Sequence, residues 1–483
     1  MGARRHEQVL RSRSGNPRHP LQHHRPDLHR NPADAADVRG PGVQGQRPVE
    51  DQAWPHRPGR GSYGRGAVPR FRCLGIDDRN QPCRRRRLDR RIGLPPMFEP
   101  FPGNYVWNLG INLALIAGGN HGELDEVCRP VREAAKAGAD AGSALLFDSW
   151  IAVADQVTRN AERDEAEGFL LSAGAKYLRA SGYYLGAERL QSRDYAPRWV
   201  AYDKGLELYH KGSALSGLHV DKVEIPYEGS SYPAIFVHDG SGTPRPTLVS
   251  VNGLDSMKEQ VNMAGHGAVN LARGMNTLFL DQPGTGEAIR KRNLPAVFDA
   301  ERWGSPAFDY LLTRSDVIHS QIGIFGLSFG GYHAPRIAAN DPRYALCAVM
   351  GANHVWGQRQ RERVANEGEN PVPHYWDHVM WVFGIDDQAA FLEYADQITL
   401  DGQVEKIRVP FLITHGENDR QIPAYNAQMS YDQAVNSPKR TLRIFTRADF
   451  EVEHCGADNG TGMRDYIADW CAQTFAEMAG NKG

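Results

Sequence analysis

The chain has 483 residues and is 41% apolar, enough for at least one large core, with a formal net charge of −2. The charge is uneven: residues 1 to 96 hold 21 Arg, no Lys and nine Asp or Glu, a balance of +12, and the rest sums to −14. So acidic a body argues against a nucleic-acid partner, and no apolar run reaches the roughly 20 residues that span a bilayer, Trp107 to Gly119 being too short.

Taken in chain order, residues 1 to 96 combine 12 Pro and six His with the 21 Arg and no apolar period, so disorder is expected there. The run Arg84 to Arg87 could serve a basic arm, but Arg without Lys beside so much Pro and Gly reads more simply as translated GC-rich DNA, with Met97 as initiator. No apolar stretch of a secretory signal follows the Arg-rich start. Six scattered cysteines, without paired CxxC spacing, fit a reducing cytoplasm and imply neither a disulfide framework nor a metal site.

From Met97 to about Gly217 apolar residues recur at three and four, predicting helices over Val106–Ala117, Glu123–Ala137, Ser143–Ala161, Glu165–Gly182 and Pro197–Lys211. The expectation is a helical cap domain over 97–216. Beyond it, short apolar strands alternate with helices: Ala234–Val237, Thr247–Val251, Thr277–Leu280, Ile322–Phe325, Leu346–Met350, Phe411–Thr414 and Leu442–Phe445. That alternation predicts an α/β domain over 217–483 with a mostly parallel sheet covered on both faces. The stretch from 353 to 406 exceeds one crossover helix and carries Trp356, Tyr375, Trp376, His378, Trp381 and Phe383, so a lid-like insertion over the site is expected.

Gly326-Leu327-Ser328-Phe329-Gly330 joins a strand to a helix, the setting of a nucleophile elbow, where the residues two before and two after the Ser must be tiny. Ser328 is therefore the candidate nucleophile. A hydroxyl needs an imidazole to accept its proton and a carboxylate to orient that imidazole, in the order Ser, acid, His. Asp419, in the loop after the strand Pro410–Gly416, is the candidate acid, with Glu417 the competing carboxylate. His454 is the candidate base, because it alone among the histidines falls between the last strand and the last helix; His333, His354, His374, His378 and His415 do not. Phe329 and Leu254 are expected to supply the oxyanion N–H donors, with Gly253 as the alternative to Leu254. The loop Asp281-Gln282-Pro283-Gly284-Thr285-Gly286-Glu287 lacks the Lys-Ser or Lys-Thr of a P-loop and reads as a turn at the rim.

Read with the opening Phe98-Glu99-Pro100-Phe101-Pro102-Gly103-Asn104-Tyr105-Val106-Trp107-Asn108 and the loop Asn252-Gly253-Leu254-Asp255-Ser256, these segments resemble one branch of the α/β-hydrolases. It has a helical domain before the catalytic one and includes 2,6-dihydroxypseudooxynicotine hydrolase and the fungal yellowish-green pigment hydrolases. The resemblance runs from about Met97 to the end. It implies hydrolysis of a carbon–carbon bond beside a carbonyl on an electron-rich ring, and a further carboxylate soon after the strand that follows the nucleophile helix. Here that stretch holds only Glu362. Tyr105, Trp107, Trp356, Glu362, Trp376 and Trp381 are the expected substrate contacts. No cofactor is implied. The expected partner is a small aromatic molecule, not nucleic acid or membrane, and a homodimer is compatible with the chain. The competing readings are a carboxylesterase and an inactive binding protein on a hydrolase scaffold.

Overall fold

The opening segment Phe98–Phe101 has no period of its own and is held by side chains from the helix that follows it. In the computed structural model, which describes residues 97–138, 142–189, 191–365 and 374–480, Asn108 exchanges two hydrogen bonds with the Phe101 backbone, both at 2.9 Å. Asn112 Nδ2 donates to Phe98 O at 2.7 Å. The reading of residues 1 to 96 lies outside the described residues.

Five helices come first: α1 (Tyr105–Ile116), α2 (His121–Lys136), α3 (Gly142–Ala166), α4 (Leu170–Arg189) and α5 (Pro197–Leu215). Asn104 caps α1 by accepting from Trp107 N at 3.1 Å. The break between α3 and α4 falls later than the apolar period suggests, at Gly168, whose φ of +83° few other residues adopt. Helices α4 and α5 approach closely because of glycine: a Cβ on Gly212 would stand 2.8 Å from Leu178 N.

The sheet has eight strands: β1 (His219–Tyr227), β2 (Ser230–His238), β3 (Arg245–Val251), β4 (Asn276–Leu280), β5 (Val317–Leu327), β6 (Cys347–Met350), β7 (Phe411–Gly416) and β8 (Arg440–Phe445), in the order β1-β2-β4-β3-β5-β6-β7-β8. Pairs β1–β2 and β2–β4 are antiparallel and the others parallel. Strand β1 was not among the expected strands; its half-buried alternation is that of an edge strand, fainter than the continuous apolar runs of the centre. The crossovers are α6 (Lys258–Met263), α7 (His266–Leu271), α8 (Gly286–Arg292), α9 (Glu301–Leu312) and α10 (Gly330–Asn340). Between β6 and β7 stand α11 (Trp356–Ala365), α12 (Tyr375–Phe383) and α13 (Gln388–Ala395); α14 (Tyr425–Gln433) and α15 (Gly462–Gly480) complete the chain.

Parallel strands put the loops after β3, β5, β7 and β8 along one edge of the sheet, where ligands of open α/β sheets bind. The helical layer and the sheet belong to one compact unit. Among the described residues no helix is long and apolar enough to cross a membrane, and no group of His, Cys, Asp or Glu is arranged to hold a metal ion.

Candidate active site

Strand β5 ends in a turn that puts Ser328 at φ +55°, a left-handed conformation costly for a non-glycine residue. The glycines around it are steric necessities. A Cβ on Gly326 would lie 2.0 Å from Gly330 O, one on Gly330 2.6 Å from Val251 O, and one on Gly331 2.2 Å from Gly351 O. Ser328 N donates to Met350 O at 2.8 Å, tying the turn to β6.

His454 Nε2 stands 2.8 Å from Ser328 Oγ, and His454 Nδ1 is 2.8 Å from Asp419 Oδ2. Asp419 Oδ1 accepts from the N–H groups of Gln421 and Ile422, both at 2.8 Å, so the carboxylate is fixed by its own loop. Burial opposes charge on His454, but the Asp419 carboxylate outweighs it and raises the imidazole well above its ordinary value. Burial works against the Asp419 anion as well; His454 prevails and holds the carboxyl below the usual range. The competing carboxylate, Glu417, is exposed and accepts from Arg447 N at 2.8 Å.

Buried carboxylates brace these loops. Glu453 accepts from Asn418 Nδ2 at 2.9 Å and Arg420 Nε at 3.0 Å, joining the Asp419 loop to the His454 loop. Glu451 accepts from the N–H groups of Thr461 (2.9 Å), Gly462 (2.7 Å) and Met463, capping α15. His415, beside Asp419, is kept below its ordinary value by burial, and its Nε2 is 2.8 Å from Ile422 O. His333 is likewise buried, lowered to about 3 by desolvation, and packs edge-on against Phe329 and Trp303.

The loop after β3 crosses directly over Ser328, since a Cβ on Gly253 would be 3.0 Å from Ser328 Cβ. Gly253 N–H is committed to Ser256 Oγ at 2.7 Å, which leaves Leu254 N–H as the next donor along the loop. Asn252 exchanges hydrogen bonds with Gln282, N to Oε1 at 3.2 Å and Nε2 to O at 3.0 Å. Its side chain donates to Asp281 Oδ1 at 3.1 Å, and Lys258 Nζ donates to Asp281 Oδ2 at 2.8 Å. The Gly-rich loop is thus a brace for the Gly253 loop. Gly286 is required in it, as a Cβ would fall 1.9 Å from Asp281 Cγ.

Over Ser328 and His454 lies a cavity of about 260 Å³. Val106, Leu109 and Leu113 of α1, with Phe329 and Trp356, form its apolar wall; Arg189, Asp255, His378 and Arg359 form a polar one.

No family model matches the chain. It is 27% identical over 339 residues to 2,6-dihydropseudooxynicotine hydrolase of Paenarthrobacter nicotinovorans, covering 70% of this chain and 86% of that one. It is 28% identical over 305 residues to 20-hydroxy-prefusarin hydrolase of Gibberella moniliformis, covering 56% and 72%. The crystal structure of 2,6-dihydroxy-pseudo-oxynicotine hydrolase superposes with a TM-score of 0.62 at 23% identity, over 76% of this chain and 96% of that one. The chain has the α/β-hydrolase fold.

Fewer of the expected substrate contacts line the cavity than the sequence suggests. Trp356 lines the cavity; Tyr105, Trp107, Glu362, Trp376 and Trp381 do not. Tyr105, one turn before Leu109 on α1, does not line the cavity; the Arg420 guanidinium stands 4.0 Å over its ring, and burial raises its phenol far above the ordinary value. Trp107 packs edge-on against Phe101, and Trp376 against Tyr375. Trp381 packs on Trp199 beneath Arg198 and Arg290, both buried against Glu188 with Nε–Oε1 distances of 2.9 Å. Glu362 turns away to Gln358 Nε2 at 2.9 Å and to Arg359. Arg189 was not among the expected contacts yet lines the cavity, and the apolar residues of α1 were read only as a helix. Their i, i+3, i+7 spacing was the available signal.

Proposed function

We propose that the hydrolase is a serine-nucleophile enzyme that cleaves a carbon–carbon bond beside a carbonyl in an aromatic or polyketide-like substrate. The observation that carries this reading is the Ser328–His454–Asp419 alignment, both contacts at 2.8 Å, beneath a cavity walled by α1 and Trp356. The resemblance noted from the sequence supplies the bond type. The relatives named for a pseudooxynicotine and a prefusarin support a substrate of that size and shape.

Ser328 Oγ attacks the carbonyl carbon while its proton passes to His454 Nε2, and Asp419 holds the proton on Nδ1. The carbonyl electron pair moves to oxygen, where the N–H groups of Phe329 and Leu254 receive it. Collapse of this intermediate re-forms the carbonyl and breaks the carbon–carbon bond. The electron pair leaves on the ring carbon, which takes its proton from His454 Nε2. Water, deprotonated by His454, then releases the acyl group from Ser328. The four described cysteines, Cys128, Cys347, Cys455 and Cys471, are free thiols, in keeping with a cytoplasmic setting.

The test compares an aryl β-diketone or hydroxynaphthopyrone with p-nitrophenyl acetate. A small acyl ester fills little of the cavity and forfeits the binding energy that positions the scissile bond, so the aromatic ketone is expected to have the higher kcat/KM. A wide advantage for p-nitrophenyl acetate would leave a simple carboxylesterase. Fluorophosphonate labelling that persists in Ser328→Ala would refute the nucleophile.

A further inference from the structure

Asp255 contributes a carboxylate to the cavity that the steps above leave unused. It is the only Asp or Glu among the described residues lining that space, and it follows Leu254 directly. Arg189, from the end of α4, holds it: Nη2 lies 2.8 Å from Asp255 Oδ2, with 12% of the Arg189 side chain and 40% of the Asp255 side chain exposed. No described residue donates to Oδ1. Across the same wall His378 Nε2 has no hydrogen-bond partner among the described residues, and burial lowers that imidazole to about 4, leaving it neutral. The hydrolase thus presents an anchored anionic acceptor with a free oxygen, one residue from the N–H assigned to the scissile carbonyl.

A carboxylate oxygen enclosed beside an apolar ligand loses its water without replacement, whereas a hydroxyl donor would satisfy it. Leu254 and Asp255 are consecutive and line the same cavity as Ser328, so a hydroxyl received by Asp255 would belong to the part of the ligand next to the carbonyl received at Leu254. An aromatic ketone with a hydroxyl ortho to its acyl group has that arrangement, its two oxygens separated by three carbons. Resting on the proposed function, we propose that Asp255, clamped by Arg189, is the specificity-determining acceptor for a ring hydroxyl ortho to the scissile acyl group.

Binding measured by calorimetry in a Ser328→Ala background tests this without turnover, using an ortho-hydroxyaryl ketone and its O-methyl ether. The phenol is expected to bind about 10- to 100-fold more tightly, the range an unsatisfied buried acceptor produces. Asp255→Ala should abolish that preference by weakening the phenol alone. Asp255→Asn, which keeps the shape and an acceptor for Arg189, should retain part of it; thermal melts establish that each variant is folded. An unchanged phenol-to-ether ratio in either folded variant overturns the proposal. Turnover of the same ketone by the unmodified enzyme reports separately on carbon–carbon cleavage, so the two ideas can fail independently.

Discussion

Replacing Asp419 by Asn keeps the shape of the acid and inverts one hydrogen bond. In the native loop Oδ1 serves Gln421 N–H and Ile422 N–H, both at 2.8 Å, and Oδ2 faces His454 Nδ1 at 2.8 Å. The Asn oxygen is best used by the two backbone donors, so its NH₂ turns toward His454. Nδ1 must then accept, the ring proton moves to Nε2, and the nitrogen that should take the Ser328 proton already carries one. The wrong tautomer of such a base costs about 10⁴-fold in kcat, or about 5 kcal/mol of transition-state stabilisation. The pH profile should move as well. His454 acts as base only when neutral, so kcat/KM rises as pH passes its pKa. Burial opposes its charge while Asp419 raises its pKa overall, placing the native limb above the ordinary imidazole value. With the carboxylate gone, burial is unopposed and the limb should shift to lower pH. Steady-state hydrolysis of a chromogenic ester between pH 5 and 9 reads both effects. Activity within tenfold of native, or an unmoved limb, would refute the reasoning, as would an equal loss in the exposed Glu417→Gln, expected to stay within about twofold.

Four other variants and one truncation extend the argument. His454→Ala should lower kcat by about 10⁴-fold or more with folding intact, whereas His415→Ala should lose stability and stay within about tenfold in turnover; the reverse pattern overturns the choice of base. Gln282→Ala removes both hydrogen bonds to Asn252 and should lower kcat by about 10- to 100-fold with little change in KM, matched by weaker binding of a trifluoromethyl ketone. Trp381→Ala should cost about 3–5 kcal/mol in chemical denaturation, because its ring packs under Arg198 and Arg290 and does not line the cavity. A chain starting at Met97 should keep full activity if the Arg-rich head contributes nothing, which kcat/KM of the two lengths will decide.

The elements legible in the sequence were those whose cause is local. Gly326 and Gly330 identify the turn because the clash they avoid lies within a few residues, and chain order alone separates His454 from the other histidines. Asp419 could be told from Glu417 only by placement, which buries one and exposes the other. The wall of the cavity was less legible. Periodicity predicts α1 as a helix without saying which of its residues line the cavity, so Tyr105 and Trp107 were expected where Val106 and Leu109 stand. Of the large aromatics in the 353–406 stretch, Trp356 and Tyr375 line the cavity, while Trp376 packs on Tyr375 and Trp381 on Trp199 and guanidinium groups.

Buried charge was the least visible feature, since isolated Lys and Glu in a sequence suggest a solvated surface. Lys258, with three carboxylates within 2.8 Å, is 2% exposed, and Glu188 binds two guanidinium groups with no exposure. Such groups contribute little net stability compared with apolar packing, so their placement calls for another explanation. Each braces a segment near the site: Asp281 and Lys258 the Gly253 loop, Glu453 the His454 loop, Glu188 the contact between α5 and α8. A loop at a strand end cannot be fixed by a core of its own, because its backbone N–H groups need partners. A buried carboxylate accepts several such donors at once and leaves the loop one arrangement. That is the condition for oxyanion donors and an imidazole that do not reorganise during the reaction. The asymmetry follows directly: removing one partner strands a buried charge, so variants of these braces should fail by displacing a loop even where they touch no substrate.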